Sequence, residues 1–397
     1  MVIKMNTAKI AKYYCTGCGL CMRNHESDFQ LSDGFYSPNF NIEDVIFCES
    51  ICPCFDDLKE IYKDNNVWGT YDRVWLGHST DDKLRYQASS GGCISAIAIF
   101  LLDNKYVDGI IHSVKNPKAP WQTITVCSTL SVEVKNRCGS RYAQSSPLLN
   151  FEKLIEPDKK YAYIGKPCDV YSLKKYQEIN DKVRNQIVLT ISFFCAGQPS
   201  ENANIKLVTK LLGKDIHECT DLNYRGFGWP GKASATGKNG ESGEMDYQSS
   251  WGQILGRDIR NICKYCMIGT GEVADISCGD AWYLTEQNEP CFNEGEGRNI
   301  VFGRTEKGVT IINKVAEAGY IELKDFSDSI NQLKYMQPFH YDKKITMVSK
   351  FLGMTLFGRP LPKYNYKVLH QLAKNSNNKR LYEVFKGTIG RIVRHRL

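Results

Sequence analysis

Cys15-Thr16-Gly17-Cys18-Gly19-Leu20-Cys21, joined further on by Cys52-Pro53, is the stretch from which this chain is best read. Three thiolates at this spacing wrap one iron-sulfur cube, and the interleaved glycines strengthen that reading. In the bacterial ferredoxin run a fourth cysteine and a proline follow after three more residues; here that place holds His25 and Glu26. The local run is therefore incomplete. Cys52-Pro53 supplies the missing pair from beyond a loop carrying Ser32, Asp33, Gly34 and Pro38. Cys48 and Cys54 compete with Cys52 for the role, and zinc held by two Cys-x2-Cys knuckles is the rival chemistry.

The rest of the composition bounds the answer. A chain of 397 residues, 42% hydrophobic and 24% charged, has enough apolar side chains for more than one core and is not a disordered sequence. Sixteen cysteines are too dilute for the disulfide scaffold of a short secreted protein, so metal ligands and buried thiols are expected. The first ten residues lack an apolar stretch of signal-peptide length, and the longest apolar run, residues 93–102, is too short to span a bilayer. The reading is a cytoplasmic protein.

The net charge of +7 is unevenly placed. Lys379, Arg380, Lys386, Arg391, Arg394 and Arg396 against Glu383 give the tail +5, leaving a nearly neutral body that argues against a nucleic-acid groove. Leu381, Phe385, Ile389, Ile392, Val393 and Leu397 recur at helical spacing opposite those cations. A basic amphipathic helix follows, either packed on its own domain or resting on an anionic membrane surface or acidic partner.

Between these ends, strands are predicted over residues 73–78, 107–114, 123–127, 161–164, 186–194 and 299–304. Helices are predicted over 93–104, 147–155, 169–176, 200–212 and 309–318, with a hairpin insertion or ordered loop over 223–252. Ser89-Ser90-Gly91-Gly92 ahead of a helix offers unobstructed backbone N–H groups and a positive helix terminus to a phosphate, though an ordinary N-cap has the same composition. Gly139-Ser140-Arg141-Tyr142 with Gln144 and Ser145 is a second small, polar stretch of this kind. Cys263 and Cys266 form an isolated Cys-x2-Cys that needs partners. Cys168 and Cys195 are the best placed, each at a strand end beside Gly and Pro, with Cys278 as a substitute. Cys93, Cys127, Cys138, Cys219 and Cys291 stand alone and are expected to pack. Rossmann, P-loop, zinc-protease and nucleophile-elbow fingerprints are absent from the sequence.

Taken in order, CTGCGLC, QASSGGCISA, LLDNKYVDGII, GSRYAQSS, YIGKPCDVYSLKKY, FFCAGQPS, YRGFGWPG, CKYC and ADISCGDAW resemble the beta subunit family of coenzyme F-420 hydrogenase and dehydrogenase, over residues 13–325. The resemblance implies a flavoprotein with FAD and one or two 4Fe-4S clusters, passing electrons between clusters and an organic hydride acceptor. It makes Ser89, Ser90, Gly91 and Gly92 and the segment Gly139, Ser140, Arg141, Tyr142, Gln144 and Ser145 the flavin loops. It sets Lys166 and Pro167, beside Cys168, at the isoalloxazine, with Lys166 as the catalytic residue. It makes Cys168, Cys195, Cys263 and Cys266 the second-cluster ligands, while Cys278 stands where relatives have an aliphatic residue. The single amino-terminal run implies one cluster there, on Cys15, Cys18, Cys21 and Cys52.

The expected architecture is α/β (α+β): a ferredoxin-like iron-sulfur module over residues 1–66, a mixed-sheet FAD- and cluster-binding domain over 67–325, and a helical extension over 326–397. The expected activity is redox relay between clusters and FAD with hydride transfer to or from a small molecule, in contact with a redox partner such as ferredoxin. The alternatives are an accessory electron-transfer subunit and a non-redox protein of bacterial surface-polysaccharide biosynthesis.

Overall fold

The computed structural model describes residues 2–394, without the side chains of residues 2–6 and 42. Arg396 and Leu397 of the predicted tail helix lie outside the described residues. Thirteen strands are described, in chain order β1 (Phe29–Ser32), β2 (Phe35–Pro38), β3 (Arg73–Ser79), β4 (Gly109–Asn116), β5 (Ala119–Ser128), β6 (Tyr161–Gly165), β7 (Ile187–Phe193), β8 (Cys219–Asn223), β9 (Ala233–Gly237), β10 (Ser242–Met245), β11 (Ile276–Asp280), β12 (Asn299–Gly303) and β13 (Ile321–Asp325). Eight of them form one mixed sheet in the order β13-β3-β12-β11-β7-β6-β4-β5. Its centre, β11-β7-β6-β4, is parallel, and both flanks are antiparallel. The apolar, β-branched run of β7 is what a strand covered on both faces requires. In an α/β sheet ligands gather at the carboxyl ends of parallel strands, and Gly165, Phe193 and Asp280 are the last residues of β6, β7 and β11.

Local chemistry sets the elements around those strand ends. The helix Cys93–Asp103 starts from Gly92, whose φ of 79° is a left-handed conformation that a side chain would disfavour. The helix Pro167–Ile179 carries proline in its first turn, where no N–H is needed, and the Asp169 carboxylate accepts from Lys166 N at 3.2 Å. Residues 147–155, predicted helical, hold only a short 3₁₀ turn, Phe151–Leu154. There Leu148 N donates to Cys18 O at 2.8 Å, so the backbone is tied to the cysteine-rich segment instead of to itself. The region after residue 219 is the antiparallel sheet β10-β9-β8, followed by a wide-turn helix, Gln248–Ile254.

The apolar core beneath the amino-terminal cysteines is shared with the carboxy-terminal helices: Ala11, Tyr14, Cys48 and Leu58 pack in one cluster with Phe351, Met354, Leu369 and Ile392. Tyr14 OH donates to Pro360 O at 2.6 Å across that seam. The terminal helix Asn378–Val393 packs against Met347–Leu356, burying Val384, Thr388 and Ile392. None of the helices among the described residues is long and apolar enough to cross a membrane.

Candidate functional site

Cys15, Cys18, Cys21, Cys48 and Cys52 line one small cavity with Thr16 and Ser172. Cys54 is fully buried but lies outside that lining, 3.5 Å from Cys52 Sγ. Of the three candidates for a fourth thiol, Cys48 and Cys52 thus line the cavity and Cys54 does not. Hydrogen bonds from Cys48 and Cys54 hold the Cys52 thiol well below its ordinary pKa, while the Cys48 thiol is raised.

Cys168, Cys195, Cys263 and Cys266 line a second cavity, with Thr16, Pro53, Pro167, Gly269 and Tyr364. They come from the start of the helix Pro167–Ile179, the residues after β7, and the turn Asn261–Lys264 with the loop beyond it. Burial and the neighbouring thiols push Cys195 up to about 12; burial likewise carries Cys266 to about 11 against the opposing charge of Lys343. Four thiols converge on this cavity, the donor type of an iron-sulfur cluster, while no group of three or more His, Cys, Asp or Glu side chains among the described residues is arranged to hold a single metal ion. Cys278 instead sits in the sheet core on β11 and does not line this cavity.

A cleft of about 300 Å³ opens above the strand ends. Ser89, Ser90, Gly92, Gly139, Ser140, Arg141, Tyr142, Ser145 and Lys166 all line it; Gly91, Gln144 and Pro167 do not. Ser140 N donates to Ser89 Oγ at 2.7 Å, joining the two predicted flavin loops. Gly91 lies against Asn299, whose N and Oδ1 would be 2.8 Å from a Cβ, so only glycine fits there. Gln144 is a bracing residue, donating to Pro199 O and accepting from Arg260 at 2.7 Å. Arg141 donates to the carbonyls of Pro120, Gln122 and Leu222, at 2.6, 2.9 and 3.2 Å, and lies over the Tyr224 ring. Its role is to hold the loop in shape as much as to supply charge.

Lys166 Nζ lies 2.8 Å from Asp169 Oδ2 and 3.4 Å from Ser145 Oγ. Burial disfavours its charge, but Asp169 and the thiols Cys168 and Cys195 outweigh it and raise the Lys166 pKa. Burial raises Asp169 as well, and its Oδ1 has no hydrogen-bond partner among the described residues.

The far wall of the cleft was not foreseen. Arg225 pairs with Asp280 at 3.0 Å and lies over the Tyr247 ring, beside Trp282, which stacks on Trp229 at 4.7 Å. Arg225, Trp229, Asp280 and Trp282 lie in the blocks YRGFGWPG and ADISCGDAW, which carried the signal without a role attached. Gln337 and His340 also line the cleft, and nothing in the sequence pattern pointed to them.

A mixed sheet with a cleft at its parallel strand ends and two thiol-lined cavities defines a cysteine-rich α/β protein. The chain belongs to the coenzyme F420 hydrogenase/dehydrogenase beta subunit family, whose N-terminal part matches residues 74–152 and whose C-terminal part matches residues 158–329. It is 26% identical to the coenzyme F420 hydrogenase subunit beta of Methanococcus voltae, over 74% of this chain and 99% of that one. It is also 26% identical to the F420-dependent formate dehydrogenase subunit beta of Methanocaldococcus jannaschii, over 65% of this chain and 63% of that one. In fold it is similar to a chain of the F420-reducing [NiFe] hydrogenase complex from Methanosarcina barkeri, with a TM-score of 0.55 and 19% identity over 74% of this chain and 97% of that one.

Proposed function

We propose that the protein is an iron-sulfur flavoprotein oxidoreductase. It would exchange electrons between a redox partner protein and a small hydride donor or acceptor of the deazaflavin type named in its relatives. The observation that carries this reading is the series formed by the three sites. Thr16 is common to the walls of the two thiol cavities, and Lys166, Cys195, Gly197 and Gln198 are common to the second cavity and the cleft. Clusters bound in the cavities and FAD in the cleft would supply one-electron and hydride exchange, which amino-acid side chains do not.

The residues of the chain have distinct parts in this. Cys15, Cys18, Cys21 and Cys52 would hold one 4Fe-4S cluster, and Cys168, Cys195, Cys263 and Cys266 the other. Ser89, Ser90 and Gly92, braced by Ser140, would bind the pyrophosphate with backbone N–H groups. Pro167 starts the helix that carries Cys168 and so fixes that ligand. Lys166, kept protonated, would hold its proton on Nζ between Asp169 and the ring in the cleft, where it stabilises negative charge. Phe194, Tyr247 and Trp282 would shield the ring from water.

The test is anaerobic purification followed by iron, sulfide and flavin analysis and assay with a deazaflavin. About eight irons, two four-iron cubes, with one extractable FAD are expected. Near four irons with a zinc would reject the second cluster, and protein unable to take up flavin would reject the flavoprotein reading. Cluster-bearing protein that reduces only another protein would be an accessory electron-transfer subunit.

A further inference from the structure

The family match ends at residue 329, yet the wall of the cleft does not. The helix Pro338–Ile345 carries His340, Lys343 and Lys344 at the i, i+3, i+4 spacing that places side chains on one face. All three are buried. Lys344 Nζ donates to Val67 O and Thr270 Oγ1, at 2.9 and 2.8 Å, and pairs with Glu272. Lys343 Nζ donates to Cys263 O at 3.3 Å, on the turn Asn261–Lys264 that carries one of the second-cavity thiols. Two members of the face therefore have structural employment.

His340 does not. Its ring meets Phe194 edge-on at 5.5 Å and Phe339 at 5.4 Å, and it lies against Gly269, where a Cβ would come 3.2 Å from Nδ1. Gly269 lines the second thiol cavity and His340 lines the cleft, so the imidazole stands on the wall between them. It is 97% buried, at 3% exposure, and Nδ1 has no hydrogen-bond partner among the described residues. Nδ1 is the nitrogen turned to Gly269, and Nε2, for which no hydrogen bond is described, is the one left to a ligand in the cleft. Burial, with Lys343 and Lys344 nearby, keeps the ring neutral. A neutral imidazole offers one donor and one acceptor.

We propose that His340 hydrogen-bonds the planar heteroaromatic ring held in the cleft, so that a segment beyond the family match takes part in choosing what binds there. The proposal rests on the flavoprotein reading above. The chemistry His340 selects is a ring edge bearing a carbonyl or N–H of the imide or lactam kind. Such an edge is present on FAD and on a deazaflavin alike.

The experiment uses the full-length protein and its His340→Phe and His340→Gln variants. Phenylalanine keeps the contacts with Phe194 and Phe339 without the nitrogens, and glutamine returns a polar atom near the Nε2 position. FAD is titrated into flavin-stripped protein by fluorescence quenching, and 8-hydroxy-5-deazaflavin into flavin-loaded protein. His340→Phe should weaken one of the two rings about tenfold, the scale of one hydrogen bond, and His340→Gln should recover most of that loss. A loss in the FAD arm places the contact on the flavin, and a loss in the deazaflavin arm places it on the hydride partner. If the phenylalanine variant does not fold, His340→Leu gives the same comparison. Unchanged affinity in both arms would overturn the proposal alone, whereas wild-type protein that binds neither ring would overturn the flavoprotein reading and this inference together.

Discussion

Lys344 and Glu272 form an ion pair in which neither side chain has any exposure to solvent. The carboxylate also accepts from Thr270 Oγ1 at 2.6 Å and from Tyr62 OH at 3.2 Å, so one buried anion ties the helix Pro338–Ile345 to the amino-terminal segment and to the loop after Cys266.

Removing one partner of such a pair leaves the other charged and dry. Lys344→Met is expected to cost about 3–5 kcal/mol of stability, and Lys344→Met with Glu272→Gln less, since the stranded charge is then gone. Urea unfolding of the three proteins measures this. A single substitution costing under about 1 kcal/mol would show that the pair is hydrated after all.

Acid should find the same network. For Glu272, burial raises the pKa, but Lys344 and Arg304 outweigh it and hold the carboxyl below its ordinary value. For Asp275, burial is likewise outweighed by Lys174 and by hydrogen bonds from Thr190. A depressed folded-state pKa contributes stability above the unfolded value, about 4 for a carboxyl, and loses it as pH falls through the lower folded value. Melting temperature should therefore hold at neutral pH and fall below about pH 4, with a shallower fall in Glu272→Gln. An unchanged acid profile in that variant would count against the assignment.

Cys52→Ser should lose about half the iron, one of two four-iron cubes, while Cys54→Ser retains it, because Cys52 lines the cavity and Cys54 does not. Cys48→Ser is the informative comparison. Loss there with retention in Cys52→Ser would move the fourth ligand to Cys48.

Gly91→Val places a side chain against the Asn299 backbone and should force the Ser89–Gly92 loop out of position. Flavin content is expected to collapse while the iron bound near Cys15 stays. Flavin retained at the wild-type level would remove this loop from the binding site.

The sequence made some of this legible and left some dark, for physical reasons. β6 and β7 were readable because buried parallel strands are continuous apolar runs, and the convergence of Cys15, Cys18 and Cys21 because their regular spacing keeps them close in space. The helix expected over residues 147–155 failed because a tertiary hydrogen bond to Cys18 outcompeted local propensity. His340 and Lys344 were invisible because burial of a polar helix face depends on what packs against it, for Lys344 residues 72 and 74 positions away. Arg225 and Asp280 are 55 residues apart and meet only through the sheet.

The bond between Tyr14 and Pro360 joins residues separated by 346 positions. During synthesis the amino-terminal cysteines emerge from the ribosome long before the helices that cover them exist. A cluster on Cys15, Cys18 and Cys21, as proposed, would be enclosed only after the chain is released, and until then the thiols would be open to oxygen. A translation-arrested chain ending before residue 340 should bind no lasting iron at these cysteines, and the released chain should. The order in which the ribosome delivers the two ends would thus set when a cluster at the amino-terminal cysteines is enclosed.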